Sequence, residues 1–215
     1  MLIAEHQTAG RGRLGRTWTA TPRTQVIMSV AVSARDVPAA GWGWLPLATG
    51  VAVVDAVSAL ANVDAGVKWP NDVLVGTGKL AGILAEVASV EPVIVVGLGL
   101  NVTLTPGDVD GGGATSLSAL DVTVPSRAAL VTRLLSELGQ RVDAWRAAGG
   151  ADRRLRDDYT KHSLTIGSHV RATMPGRPDI IGIARSVDEQ GRLCIESNGE
   201  ILAVSAGDVV HLRGV

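Results

Sequence analysis

A chain of 215 residues, 46% of them hydrophobic and with a mean hydropathy of +0.26, can bury a sizeable core as one large domain or as one domain plus a small one. With 20 Lys+Arg against 21 Asp+Glu, the charge balance argues against a chain-wide nucleic-acid-binding surface. A single cysteine excludes an intramolecular disulfide and a cysteine metal cluster, the four histidines show no ligand spacing, no signal peptide opens the chain, and no unbroken apolar run reaches the roughly 18–20 residues of a membrane span; together these favour a soluble cytoplasmic protein.

Residues 1–7 read as a strand, and they lead into Gly10-Arg-Gly-Arg-Leu-Gly-Arg16, with Trp18 just beyond. Three arginines among three glycines suit a loop that wraps a small, highly negative ligand. Each guanidinium is a fixed cation whose planar fork of donors matches carboxylate and phosphate oxygens. Each glycine permits positive φ, so that backbone N–H groups can turn toward an anion. Gly10, Gly12 and Gly15 also fit the spacing of a dinucleotide fingerprint, but that motif needs a helix to begin within it. The β-branched, proline-stopped run from Thr17 to Pro22 argues against a helix there. An Arg-Gly nucleic-acid segment is normally long and belongs to a basic chain. One short basic loop on a near-neutral body fits a small anion better; a solvated surface loop is the plain alternative.

Gln25–Ser33 predicts a strand. Residues 43–62 predict a buried apolar helix that stops at Asn62. Short strands at Val67–Trp69 and Val73–Val75 flank Pro70-Asn71-Asp72. Lys79–Ser89 and Pro92–Val102 are apolar runs expected to form strands buried on both faces. Asp108–Ala114 is a glycine-rich loop. Ser126 is a good N-cap for a helix to about Ala148, with Leu130, Leu134, Leu138, Val142 and Trp145 on one face. Asp152–His162 predicts another helix. From Leu164 onward the pattern changes to short alternating strands, with turn signals at Pro175-Gly176, Gln190-Gly191 and Asn198-Gly199. Cys194 falls in one of these strands as a small core residue. The expected fold class is α+β: a mixed β-sheet packed with helices over residues 1–163, then a small SH3-like β-barrel over 164–215.

Two further clusters carry chemistry. In Lys68-Trp-Pro-Asn-Asp72, proline biases Trp69 toward an extended conformation, and Lys, Asn and Asp emerge together at a strand end. Asp72 suits a Mg²⁺ ion or a hydrogen bond from a ribose or an attacking group; the same residues also make an ordinary tight turn. Gly78-Lys79 is not a phosphate-binding P-loop, because Val73 and Leu80 stand where that motif needs glycine and Ser or Thr. Lys79 either snorkels to solvent or points into a site. Gly82, inside the same strand, signals close approach of another group. Gly97-Leu-Gly-Leu-Asn101 ends the next strand as a pocket floor or as a bulge.

In this order, these clusters resemble the biotin protein ligases. The resemblance rests on Gln7, Gly10 to Arg16 with Trp18, Lys68 to Asp72, Lys79-Leu-Ala-Gly-Ile-Leu84 with Glu86, and Gly97 to Asn101, and it runs over nearly the whole chain. It implies a two-step reaction. Biotin and MgATP give biotinyl-5′-AMP and pyrophosphate, and the activated carboxyl then passes to one lysine of a biotin carboxyl carrier domain of an acyl-CoA carboxylase. The residues suit that chemistry, since a carboxylate meets an α-phosphate and cations must neutralise both.

By resemblance, Lys79, Arg11, Arg13 and Asp72 are catalytic. Lys79 lies between the biotin carboxyl and the α-phosphate, and Asp72 helps the acceptor lysine lose its proton or orders the metal. Gln7, Gly10, Gly82, Gly97 and Gly99, with Arg11, Arg13 and Lys79, line biotin. Arg13, Arg16, Trp18, Lys68, Asn71, Asn101, Ala114, Thr115 and Ser116 face the nucleotide, and Trp18 anchors the loop base. Arg213 is a further available cation. The mixed anhydride is hydrolysed by water, so the 10–16 loop is expected to close as a lid.

The family's strand and helix before the arginine loop, with a Ser/Thr-Thr-Asn motif, have no counterpart in this sequence. Their lack is expected to weaken biotin binding and to expose a sheet edge. The sequence carries no helix-turn-helix, so a DNA-binding role is not implied. Relatives pair through the central sheet or stay monomeric, which leaves a homodimer open. The alternatives are a lipoate or octanoate ligase or transferase of the same fold, an inactive truncated ligase fragment, and a non-catalytic anion- or RNA-binding module.

Overall fold

The computed structural model describes residues 1–19, 21–88, 92–105, 113–174, 176–205 and 207–212. Most of the loop expected at 108–114, as well as Ser89, Pro175 and Arg213, lies outside the described residues. A six-stranded sheet is built from β1 (Leu2–Ala4), β2 (Gln25–Ser33), β3 (Gly66–Lys68), β4 (Asp72–Val75), β5 (Gly78–Val87) and β6 (Val93–Asn101), in the order β1-β2-β6-β5-β4-β3. Its strand pairs are antiparallel, and the parallel component expected of a mixed sheet enters through two isolated bridges, Val67 with Ser163 and Lys79 with Ala114.

The core lies on one face of this sheet. Helix α1 (Trp44–Ala61) runs between the sheet and α2 (Arg127–Ala148), so twelve of its residues are buried and no polar face is left. Its last turn ends at Asn62 in the left-handed region, as expected, with Asn62 N–H bonded to Ser58 O. Counted by composition rather than by unbroken run, Ala39–Ala61 is long and apolar enough to cross a membrane; here 67% of its 18-residue apolar window is buried inside the fold. In α2 the Ser126 hydroxyl accepts Ala129 N–H, and Leu130, Leu134, Leu138, Val142 and Trp145 form the buried stripe. Helix α3 (Arg153–His162), capped by Asp152, packs Leu155 and Tyr159 against α1.

The C-terminal sheet comprises β7 (His169–Thr173), β8 (Ile180–Val187), β9 (Leu193–Ser197), β10 (Glu200–Val204) and β11 (Asp208–His211), ordered β10-β9-β8-β7-β11. The alternating pattern predicts a small SH3-like β-barrel; the strands form a small antiparallel sheet consistent with that class, but among the described residues its order is open and ends at β10 and β11 rather than closing into a barrel. Asn198 and Gly199 have φ of 52° and 83°, the double positive-φ geometry of an Asn-Gly hairpin. The β8–β9 turn docks on the main sheet's helix layer. Trp44 Nε1 donates to Asp188 O at 2.9 Å, and the backbones lie so close that a Cβ on Gly43 would strike Gln190 O and one on Gly191 would strike the Gly43 carbonyl. The chain between the sheets is tied down as well: Leu164 N–H donates to Val67 O at 2.9 Å.

Candidate active site

The arginine loop is a short hairpin. Arg11 bridges Thr17, Trp18 N–H donates to Gly10 O, and Arg16 N–H donates to Arg13 O at 3.2 Å around a tip formed by Leu14 (φ 56°) and Gly15 (φ 74°). Its glycines therefore differ in purpose. Gly15 supplies the positive φ, whereas Gly10 is needed because a Cβ there would strike Trp18 O. Gly12 is extended, with Arg16 atoms no nearer than 3.4 Å to a Cβ.

Each arginine is held by the body of the protein. Arg11 Nη2 pairs with Glu86 Oε2 at 2.7 Å on β5, Arg13 Nη1 donates to Asn71 Oδ1 at 3.1 Å, and Arg16 pairs with Asp208 of the C-terminal sheet. Burial works against the charge of Arg13, pulling its pKa below the ordinary value, while Asp208 and Asp72 work the other way. Two of the three pairs are largely exposed, so each holds the loop weakly and a stronger anion can displace the carboxylate.

Trp18 closes the loop base onto a glycine floor. Gly82 and Gly99 are paired neighbours on β5 and β6, and a Cβ on either would come within 2.6 Å of the indole ring. The indole Nε1–H donates to buried Gln25 Oε1 at 3.0 Å. Lys79 Nζ lies 5.2 Å from the Trp18 ring centroid and 2.7 Å from Asp72 Oδ1. The Lys79–Asp72 contact is a partly buried ion pair, and the carboxylate's further lone pairs can still accept from another donor. Beside this wall opens a cavity of about 170 Å³ bounded by Gln7, Arg11, Trp18, Lys79, Gly97 and Gly99. A larger cleft of about 950 Å³ lies on the other side of the loop, between Arg13, Arg16, Asn71, the start of α1 and the turn Gln190–Arg192.

The structure thus gathers Gln7, Arg11, Arg13, Asn71, Asp72, Lys79, Gly82, Gly97 and Gly99 around one wall. Asn101 and Thr115 stand at its edge. Asn101, 2% exposed, donates to Lys79 O and Thr115 O at 3.1 and 2.9 Å, and its Oδ1 is buried without a partner. Lys79 and Ala114 bridge their backbones, which ties the 113–116 segment to the start of β5. Ser116 does not join the site. It is fully buried, and its hydroxyl donates to Leu104 O at 2.7 Å. Lys68 lies apart from both cavities, beside Asp72 and Tyr159 in a small void.

No group of three His, Cys, Asp or Glu forms a metal cage among the described residues. A lone carboxylate such as Asp72 fits a Mg²⁺ carried in by phosphates rather than a preformed metal site. Sequence reasoning passed over Gln25, whose signal was a polar residue opening an apolar strand. It also passed over Asp208, for which no local signal exists at 192 residues from Arg16.

Comparison with known proteins decides the family. The chain is 56% identical over 216 residues to the biotin–[acetyl-CoA-carboxylase] ligase of Mycobacterium tuberculosis, covering 99% of this chain and 79% of that protein. The chain belongs to the biotin protein ligase family. Residues 1–102 match the Biotin/lipoate A/B protein ligase family, and residues 165–212 match the Biotin protein ligase C terminal domain. Identity to the bifunctional ligase/repressor BirA of Bacillus subtilis is 31%, over 97% of this chain and 65% of that one, so the chain spans about two thirds of the repressor's length. Among solved structures, the biotin protein ligase from Aquifex aeolicus in complex with biotin and ATP superposes with a TM-score of 0.83 at 23% identity, covering 99% of this chain and 88% of that chain. The Leishmania major ligase in complex with biotinyl-5-AMP gives a TM-score of 0.62 at 24% identity, covering 99% and 87%.

Proposed function

We propose that this chain activates biotin with ATP to biotinyl-5′-AMP, releasing pyrophosphate, and transfers the biotinyl group to a lysine of a biotin carboxyl carrier domain, releasing AMP. The observation that carries this reading is the wall formed by Trp18, Lys79 and the paired glycines Gly82 and Gly99. On one side it offers a small cavity rimmed by Arg11 and Gln7, and the cation of Lys79 stands at its mouth.

In the first step the biotin carboxylate attacks the α-phosphorus, and the bond to the bridging oxygen of pyrophosphate breaks. Lys79 neutralises the approaching anions, and Arg13 and Arg16 offset charge on the phosphates. Mg²⁺ supplies further charge neutralisation on the phosphates when bound, with Asp72 the residue placed to hold it. In the second step the acceptor amine attacks the acyl carbon and AMP leaves. Asp72, ion-paired to Lys79, is the candidate to take the proton of the incoming lysine, as the alternative to holding the metal.

The Asn101 amide, by bonding the Lys79 and Thr115 carbonyls, holds the 113–116 segment beside Lys79, which supports a nucleotide-facing edge there. The same proposal divides the chain into a catalytic part, 1–163, and a C-terminal part, 164–215, supported by the two separate sheets. Buried, unpaired Cys194 suits a reducing, cytoplasmic setting.

The test is exchange of labelled pyrophosphate into ATP with biotin, lipoate or octanoate as the acid. Exchange with biotin alone is expected. Exchange with lipoate or octanoate in its place, or with no acid from folded protein, overturns the reading.

A further inference from the structure

β11 touches both catalytic elements from across the gap between the two sheets. At its start, Gly207 O lies 3.4 Å from Arg13 Nη2, and Asp208 pairs with Arg16. At its end, His211 Nε2 lies 3.1 Å from Thr165 Oγ1. Thr165 is fully buried, and its Oγ1 accepts Trp69 N–H at 3.0 Å. Trp69 is 2% exposed, and its indole Nε1–H donates to Gly191 O at 3.1 Å. Two and three residues further on stand Asn71, which holds Arg13, and Asp72, which holds Lys79.

We propose that Thr165 and His211 are positioning residues, a hydrogen-bond relay through which the C-terminal sheet fixes the Lys68–Asp72 turn and, with it, Lys79 and Arg13. The proposal rests on the ligase reading above.

The relay follows from the chemistry of one hydroxyl. Thr165 Oγ1 has one proton and two acceptor sites. Trp69 N–H occupies an acceptor site, so the hydroxyl proton is free to go to His211 Nε2. That requires a neutral ring with its proton on Nδ1. Burial, and then the positive Lys68, lower the pKa of His211 below its ordinary value and favour that neutral form. Without the hydroxyl, a buried backbone N–H in the middle of the turn has no partner, and the turn is free to shift toward another acceptor. Asn71 and Asp72 move with it. A misplacement of about 1 Å at reacting groups costs on the order of 100-fold in rate. Asn71 and Lys79 line the biotin cavity too, but Asn71 is tied to Ile83 of β5, and the glycine floor of Gly82, Gly97 and Gly99 is touched by neither Thr165 nor His211. The cavity therefore keeps its shape while the reacting groups shift, and the larger effect falls on kcat with a smaller one on the KM for biotin.

The test uses the full chain in biotin-dependent pyrophosphate exchange, with kcat and KM for biotin measured separately and the thermal midpoint recorded. Thr165→Val keeps the shape and removes the hydroxyl; kcat is expected to fall about tenfold or more with KM for biotin within about threefold. Thr165→Ser restores the hydroxyl and is expected to recover most of the rate. His211→Phe keeps a ring and removes the acceptor, and it decides the matter if Thr165→Val does not fold; about a fivefold or larger loss of kcat is expected. A folded Thr165→Val or His211→Phe with wild-type kcat overturns the relay, whatever happens to its midpoint. So does equal loss in Thr165→Val and Thr165→Ser. Wild-type protein without biotin-dependent exchange overturns the ligase reading instead, so the two failures are distinct.

Discussion

Gly97→Ala separates the biotin cavity from the fold that builds it. A Cβ at Gly97 finds Leu84 O at 3.5 Å and Ser29 Oγ at 4.0 Å, which is ordinary contact. Replacing a strand glycine by alanine also removes backbone freedom from the unfolded chain, worth roughly 0.5–1 kcal/mol. The variant is therefore expected to be as stable as wild type, or slightly more so. The added methyl faces a cavity of about 170 Å³. Crowding a ligand by one methyl costs about 1–3 kcal/mol, which at about 1.4 kcal/mol per factor of ten is roughly 5- to 150-fold in affinity. The KM for biotin in pyrophosphate exchange should rise by that factor while the KM for ATP stays within about twofold. The control is Gly99→Ala on the same strand. Its Cβ would lie 2.6 Å from Trp18 Cε2 and Cζ2, so the indole must move and its bond to Gln25 is lost. That variant should lose stability in urea as well as activity. A stable Gly97→Ala with unchanged KM for biotin would refute the placement of biotin in this cavity.

Lys79→Ala should reduce biotin-dependent exchange by about 100-fold or more, the usual effect of removing one preorganised charge from a transition state, and wild-type exchange in this variant would remove Lys79 from the centre of the mechanism. Gly10→Ala should open the hairpin, since a Cβ there strikes Trp18 O, while Gly12→Ala should not. Limited trypsin digestion after Arg11, Arg13 and Arg16, with biotin and ATP present, reads the difference; equal cleavage of the two variants contradicts the hairpin. His211 gives a pH dependence. Burial and Lys68 lower its folded pKa beneath the unfolded value of about 6.5, so over that window the unfolded chain binds the extra proton. Stability is full above about pH 6.5 and falls as the pH drops below it. Urea midpoints measured between about pH 7 and pH 5.5 should fall less steeply for His211→Gln, and identical slopes would remove His211 as the source.

Helices were legible wherever the chain punctuates them locally. Ser126 caps α2, Asp152 caps α3, Asn62 stops α1, and Asn198-Gly199 turns the β9–β10 hairpin, because caps and turns are decided by side chains within a few residues. The burial of α1 was legible for a different reason: it is apolar all round and can be stable only inside. Lys79 and Gly82 stood out for breaking the pattern of their strand, which is how functional positions show in a sequence.

The roles of the glycines were not legible in that way. Gly10, Gly82 and Gly99 leave room for Trp18, and Gly15 turns the chain, distinctions that depend on what lies opposite each one. Ser116 looked like a polar residue at a site, yet the fold buries it against Leu104 O. The partners of the arginines were also hidden, since Glu86 lies 75 residues from Arg11 and Asp208 lies 192 from Arg16. The sequence by itself determined most of the elements and their order, because these rest on local propensity, while the family and the expected roles of Lys79 and the arginines came from the resemblance of its motifs. Only the tertiary structure decided which wall Trp18 makes, which carboxylate holds which arginine, and that β11 reaches back to the Lys68–Asp72 turn. Those contacts join residues far apart in the chain, whose approach is set by packing of the two sheets and not by any local preference.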